Sequence, residues 1–109
     1  MRGNLAQLMQ QAQKMQEGMQ RAQDELATIE VVGNAGGGMV SVTMTGKMEC
    51  RKVRIDASVL AADHEMAEDL IAAAINDAVN KANEVAREKM SAAATGLPLP
   101  PGMSLPGFG

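Results

Sequence analysis

Aromatic side chains are almost missing from this 109-residue sequence, which has no Trp, no Tyr and a single Phe, the penultimate residue Phe108. Single-stranded nucleic acid and unpaired RNA bases are usually held by stacking on aromatic rings, so their recognition is excluded as a leading role. One cysteine, Cys50, makes an intrachain disulfide impossible, and a reducing cytosol suits such a chain. One histidine, His64, has no second His to join it, so neither a zinc site nor a Cys/His nucleophile pair is built within one chain. No apolar run approaches the roughly 18 residues of a membrane span, and the N-terminus has no charged region followed by a long apolar stretch. The expectation is a soluble, unexported, cytoplasmic protein with no membrane partner. Global positive charge is lacking too: the net charge is -3, so any nucleic-acid contact rests on a local concentration of Lys and Arg. Acidic neighbours such as Glu68 and Asp69 read as a solvated helix face in the absence of a pocket or metal motif. No catalytic residue, metal, cofactor or small-molecule substrate is therefore expected, and the chain reads as a binding protein and not an enzyme.

The 46% hydrophobic content is almost wholly Ala, Met, Val, Leu and Ile. A core of that kind in so short a chain needs supplementing, commonly by oligomerisation. Leu5, Leu8, Ala12, Met15, Met19, Ala22, Leu26 and Ile29 follow one another at alternating spacings of 3 and 4, a heptad seam set among Gln, Lys, Arg and Glu. A helix over these residues is about 37 Å long at about 1.5 Å per residue, more than a small domain is wide, so it projects or pairs. Gly18 within it is a bend, a close approach or, as the default reading, simply tolerated.

Beyond the seam the period becomes alternating. Residues 29–32, 39–45 and 50–56 read as three strands, joined by the turns Gly33-Asn34-Ala35-Gly36-Gly37-Gly38 and Thr45-Gly46-Lys47, an antiparallel meander. The Gly-rich turn joins two strands and not a strand to a helix, which argues for a hairpin loop against a phosphate cradle. Val40, Val42 and Met44 share one face that needs a covering helix, and residues 63–90 supply it with Ala67, Ile71, Ile75, Ala78, Ala82 and Val85 along one stripe and Asp63 as N-cap. Residues 58–62 form a short turn before it. From residue 91 Pro and Gly take over. The expected organisation is α+β: one domain over residues 1–90, long helix, three-stranded meander, long helix, then a disordered tail over residues 91–109.

Positive charge peaks in residues 47–54, where Lys47, Arg51, Lys52 and Arg54 face one acid, Glu49, a local sum of +3 that leaves -6 for the rest of the chain. Lys52 and Arg54 share one strand face opposite Val53 and Ile55. The cluster is either a phosphate-contact surface or an edge strand guarded against aggregation by charge. On the first helix Lys14 and Arg21 lie seven residues apart on one side, about 10 Å from each other. Lys81, Arg87 and Lys89 are the corresponding candidates on the last helix. All of these are either contacts for phosphates or ordinary solvated charges among Glu17, Asp24, Glu84 and Glu88.

Five pieces in order carry a family likeness: Gln11-Ala12-Gln13-Lys14-Met15-Gln16, Gly36-Gly37-Gly38-Met39-Val40, Cys50-Arg51-Lys52-Val53-Arg54-Ile55-Asp56, Glu68-Asp69-Leu70-Ile71-Ala72-Ala73-Ala74-Ile75-Asn76-Asp77-Ala78, and the Pro-Pro-Gly of the tail. Across nearly its entire length the chain resembles the YbaB/EbfC family of nucleoid-associated proteins. The resemblance implies a tweezer-shaped homodimer with sheets as body and helices as prongs. It also implies binding to double-stranded DNA, a place in the bacterial nucleoid, effects on gene expression, and contacts through Lys14, Arg21, Lys81, Arg87 and Lys89. Phosphate contact with some alteration of the duplex is the expected mode. A holdase-like chaperone or protein adaptor, gripping partners with Met-rich seams, is the competing expectation.

Overall fold

The computed structural model describes residues 2–95. Helix α1 (Arg2–Leu26) leads into strand β1 (Glu30–Ala35), a three-residue 3-10 turn (Gly36–Gly38), strands β2 (Val40–Thr45) and β3 (Cys50–Ile55), a short helix α2 (Ala57–Leu60) and the long helix α3 (His64–Thr95). The sheet is the expected antiparallel meander in the order β1-β2-β3. The protein measures 71 × 24 × 19 Å. Its radius of gyration is 19.3 Å, against about 13 Å for a compact chain of this length, so much of it stands away from any core.

Element ends follow local chemistry. The α1 helix stops three residues before Ile29, where β-branched Thr28 and Ile29 favour the strand. The Glu25 carbonyl accepts from Thr28 N, Ile29 N and the Thr28 hydroxyl at 3.0, 3.1 and 2.8 Å. At α3, Asp63 accepts from the Glu65 amide at 3.2 Å, the expected cap. The helix then runs to Thr95, five residues past the expected end at Met90, because Ser91-Ala92-Ala93-Ala94 contains nothing that breaks a helix. The remainder of the expected tail lies outside the described residues. Asp56 caps α2, accepting from Ser58 N at 2.9 Å and Ser58 Oγ at 2.7 Å, which holds its carboxyl below the ordinary value.

The core is thin and aliphatic: Val40, Val42 and Met44 of β2 meet Val59 and the small residues Ala74, Ala78 and Ala82 of α3. The Ala stripe at every fourth position lets the α3 backbone approach the sheet closely, and Gly33 takes up that approach. A Cβ at Gly33 would collide with Ala74 O and Ala78 N and lie 2.7 Å from Ala78 Cα. Gly33 is therefore a strand glycine in register with Val42, and the expected turn from Gly33 onward shrinks to Gly36–Gly38. Those three glycines have φ of 62°, 67° and 96°, a backbone that side chains resist.

The second turn is organised by Thr45, which is 1% exposed and whose hydroxyl accepts from the amides of Lys47 and Glu49, both at 3.2 Å. Thr45→Val keeps the shape and removes the acceptor. Its expected cost is about 2 kcal/mol in chemical denaturation.

Candidate nucleic-acid interface

Of the nine basic residues singled out in the sequence, Lys47 is exposed in the turn after β2, and the other eight fall into two groups. Lys81 and Lys89 are engaged within the fold. Lys81 Nζ lies 3.0 Å from Asp77 Oδ2 and donates to the Val32 carbonyl at 2.8 Å, while the same Asp77 oxygen accepts from Asn34 N at 2.9 Å. These bonds fasten α3 across β1. Lys89 Nζ donates to Glu25 Oε2 at 2.8 Å, fastening α3 to α1 across 64 residues of sequence. Both carboxyls are held below their ordinary values, Asp77 first by the Asn34 amide and then by Lys81, Glu25 by its bond and its attraction to Lys89, with Arg21 adding a smaller pull.

These fastenings carry a pH dependence. A carboxyl with a lowered value in the folded state stabilises fully above its ordinary value, 3.8 for Asp77 and 4.5 for Glu25, and loses that contribution as pH falls through the lowered value. The melting temperature is expected to drop on acidification through this range. Asp77→Asn should lower the melting temperature at neutral pH and make the acid-side decline shallower, read by circular dichroism from pH 7 to 3.

Lys14, Arg21, Arg51, Lys52, Arg54 and Arg87 form the other group: each is exposed, and none has a carboxylate within ion-pair distance among the described residues. Lys14 and Arg21 stand on α1, Arg87 on α3. On the sheet, Lys52 pairs with Thr43 and Arg54 with Ser41, so the two cations and two hydroxyls share the face turned away from α3. Arg54 also borders a shallow hollow of about 260 Å³ with Asn34, Ser41, Gly38 and Asp56. Arg51 is the extra residue of a β-bulge, since Met44 pairs with Cys50 and Thr43 with Lys52, a kink the sequence pattern did not signal.

Sequence reasoning also missed what stays bare. Val53 is in register with fully buried Val42, yet it is 44% exposed because α3 lies over β1 and β2 and leaves β3 uncovered. Leu60, Met66 and Ile75 are exposed as well. The signal was present: an apolar residue on the buried face of a strand for which the single covering helix is too narrow. No group of residues able to hold a metal ion occurs among the described residues, and none of their helices is long and apolar enough to cross a membrane.

The fold and its surface define a small helix, sheet and helix protein that shows unpaired cations on a projecting helix and on the outer face of its sheet. The profile of the YbaB/EbfC DNA-binding family matches residues 1–97, and the chain belongs to that family. A nucleoid-associated protein of Xanthomonas campestris pv. campestris is 70% identical, the match covering 97% of this chain and 99% of the relative. One from Xylella fastidiosa is 66% identical over 97% of this chain and 98% of its own length. Among solved structures, an uncharacterized protein from Helicobacter pylori superposes with a TM-score of 0.64 at 28% identity, covering 72% of this chain and 84% of the other.

Proposed function

We propose that this chain is a nucleoid-associated protein of the cytoplasm that binds double-stranded DNA as a homodimer, through phosphates more than base edges. Its bound form alters the duplex enough to affect nucleoid organisation and gene expression. The observation that carries the reading is the division of the cations. In a chain of net charge -3, Lys14 and Arg21 of α1 and Arg51, Lys52 and Arg54 of β3 are exposed and have no carboxylate within ion-pair distance among the described residues. Flexible Lys and Arg side chains of this kind suit contacts that follow the backbone and ignore sequence. Lys14, Arg21, Arg51, Lys52, Arg54 and Arg87 are the contacts available without rearrangement. Lys81 and Lys89 join them only by leaving Asp77 and Glu25. The homodimer is supported by the thin core and by the uncovered apolar side chains of Val53, Leu60, Met66 and Ile75, surface that a second copy would remove from water.

Titration of a duplex across a salt series tests the reading. The logarithm of affinity is expected to fall linearly with the logarithm of salt concentration, at about -0.9 per phosphate neutralised. Binding that is indifferent to salt, or equal affinity for an uncharged polymer, overturns it.

A further inference from the structure

The heptad seam runs the length of α1, yet among the described residues only its second half has a partner. Ala22 and Leu26 are buried, while every residue from 4 to 17 is exposed, including Leu5 at 62%, Leu8 at 61% and Met15 at 46%. The described part of α3 ends at Thr95, two residues past Ala93, whose carbonyl would lie 3.9 Å from a Cβ on Gly18. A helical stretch of about that length is marginal in water without tertiary support. We propose that the bare half of the seam pairs antiparallel with the same segment of a second copy of this chain, a contact separate from the one that joins the sheets.

Three observations select that occupant. The bare half continues, without a break in spacing, the row that already packs under α3, so its surface is shaped for another helix. Its flanking positions are Asn4, Met9, Gln11 and Gln16, all uncharged, so two copies meet without repulsion. Lys14 and Arg21 fall on the outer side of the heptad and stay exposed when the seam is covered. Volume decides the direction. An antiparallel pair sets Leu8 against Ala12 and Leu5 against Met15, large opposite small along part of the seam. A parallel pair stacks Ala12 on Ala12 and leaves a void. The two helix dipoles also favour the antiparallel arrangement.

The segment from Leu5 to Met15 spans only about 15 Å, so the pairing is weak and depends on concentration. It strengthens where copies are held close together by a common scaffold. Resting on the DNA reading above, the consequence is that prongs of proteins on neighbouring duplexes bridge them.

The test needs no DNA, so its failure is distinct from a failure of the salt titration. In full-length chains carrying Cys50→Ser, Leu8→Cys is placed in one population and Ala12→Cys in another, and the two are mixed under mild oxidation. The expected product is the mixed disulfide, in excess of the share that random pairing of the two populations gives and rising with protein concentration. Leu5→Gln with Leu8→Gln, checked for retained helicity, is expected to abolish the largest species in sedimentation while leaving the smaller assembly. Preferential linkage of Leu8→Cys chains to one another, yields of the three species in the statistical ratio of random pairing, or no linkage overturns the proposal. So does concentration-independent shielding of Leu8→Cys that is lost when residues 96–109 are deleted, since that assigns the seam to the chain's own C-terminal segment.

Discussion

Replacing Lys14 and Arg21 together by Gln is expected to flatten the salt dependence of duplex binding more than any other neutral pair of substitutions on α1. Each phosphate contact contributes about -0.9 to the slope of log affinity against log salt. Two contacts per chain in a homodimer make four, so the slope should become shallower by about 3.6 units. The fold should be untouched, because both side chains are exposed and neither makes an ion pair among the described residues. The same substitution pair applied to Lys81 and Lys89 should behave differently. Removing those cations frees Asp77 and Glu25, so thermal stability falls, and the salt slope moves little if these side chains stay on their carboxylates. An unchanged slope for the α1 pair, with the dimer intact, removes that helix from the interface.

The second large effect concerns stability. Gly33→Ala adds one methyl group where the backbone of α3 already touches β1, next to Ala74 and Ala78. Neither strand nor helix backbone yields as a flexible side chain would. The expected loss is about 3 kcal/mol, at the upper end of overpacking, and the melting temperature should fall by roughly 10 °C or more. Gly37→Ala is the control. A Cβ there meets nothing within 4 Å, and only the φ of 67° opposes it, so a loss of about 1 kcal/mol is expected. If the two variants melt together, the close approach of helix to sheet is not what holds this core.

Much of this was legible in the residues. The seam from Leu5 to Ile29 announced a helix by period alone, and the alternation of Val40, Val42 and Met44 announced a strand with one face to cover. Asp63 was a readable cap because its carboxylate has an amide two residues on to satisfy. Gly33 was misread as part of a turn because glycine serves two opposite needs, free φ and missing volume, and only the position of α3 tells them apart. The end of α3 was placed short because Ser91 to Thr95 were read together with the Gly- and Pro-rich residues that begin only at Gly96. Of the candidate site, residue types and their exposure were readable, whereas the fate of each cation was not. Lys89 and Glu25 stand 64 residues apart, and Lys81 reaches a carbonyl on β1, contacts that no local spacing encodes.

Local chemistry in the chain determined the order of elements, the aliphatic character of the core and the shortage of aromatic platforms, since period, branching and capping act between near neighbours. Which surfaces remain available was settled by how the elements meet. A single helix crossing three strands covers two of them, so Val53 is left bare, and α3 covers only the second half of α1. The same crossing commits Lys81 and Lys89 to carboxylates and leaves Lys14, Arg21, Lys52 and Arg54 free. Packing geometry depends on distances through space, and that is why the sequence could name the cations but not choose among them.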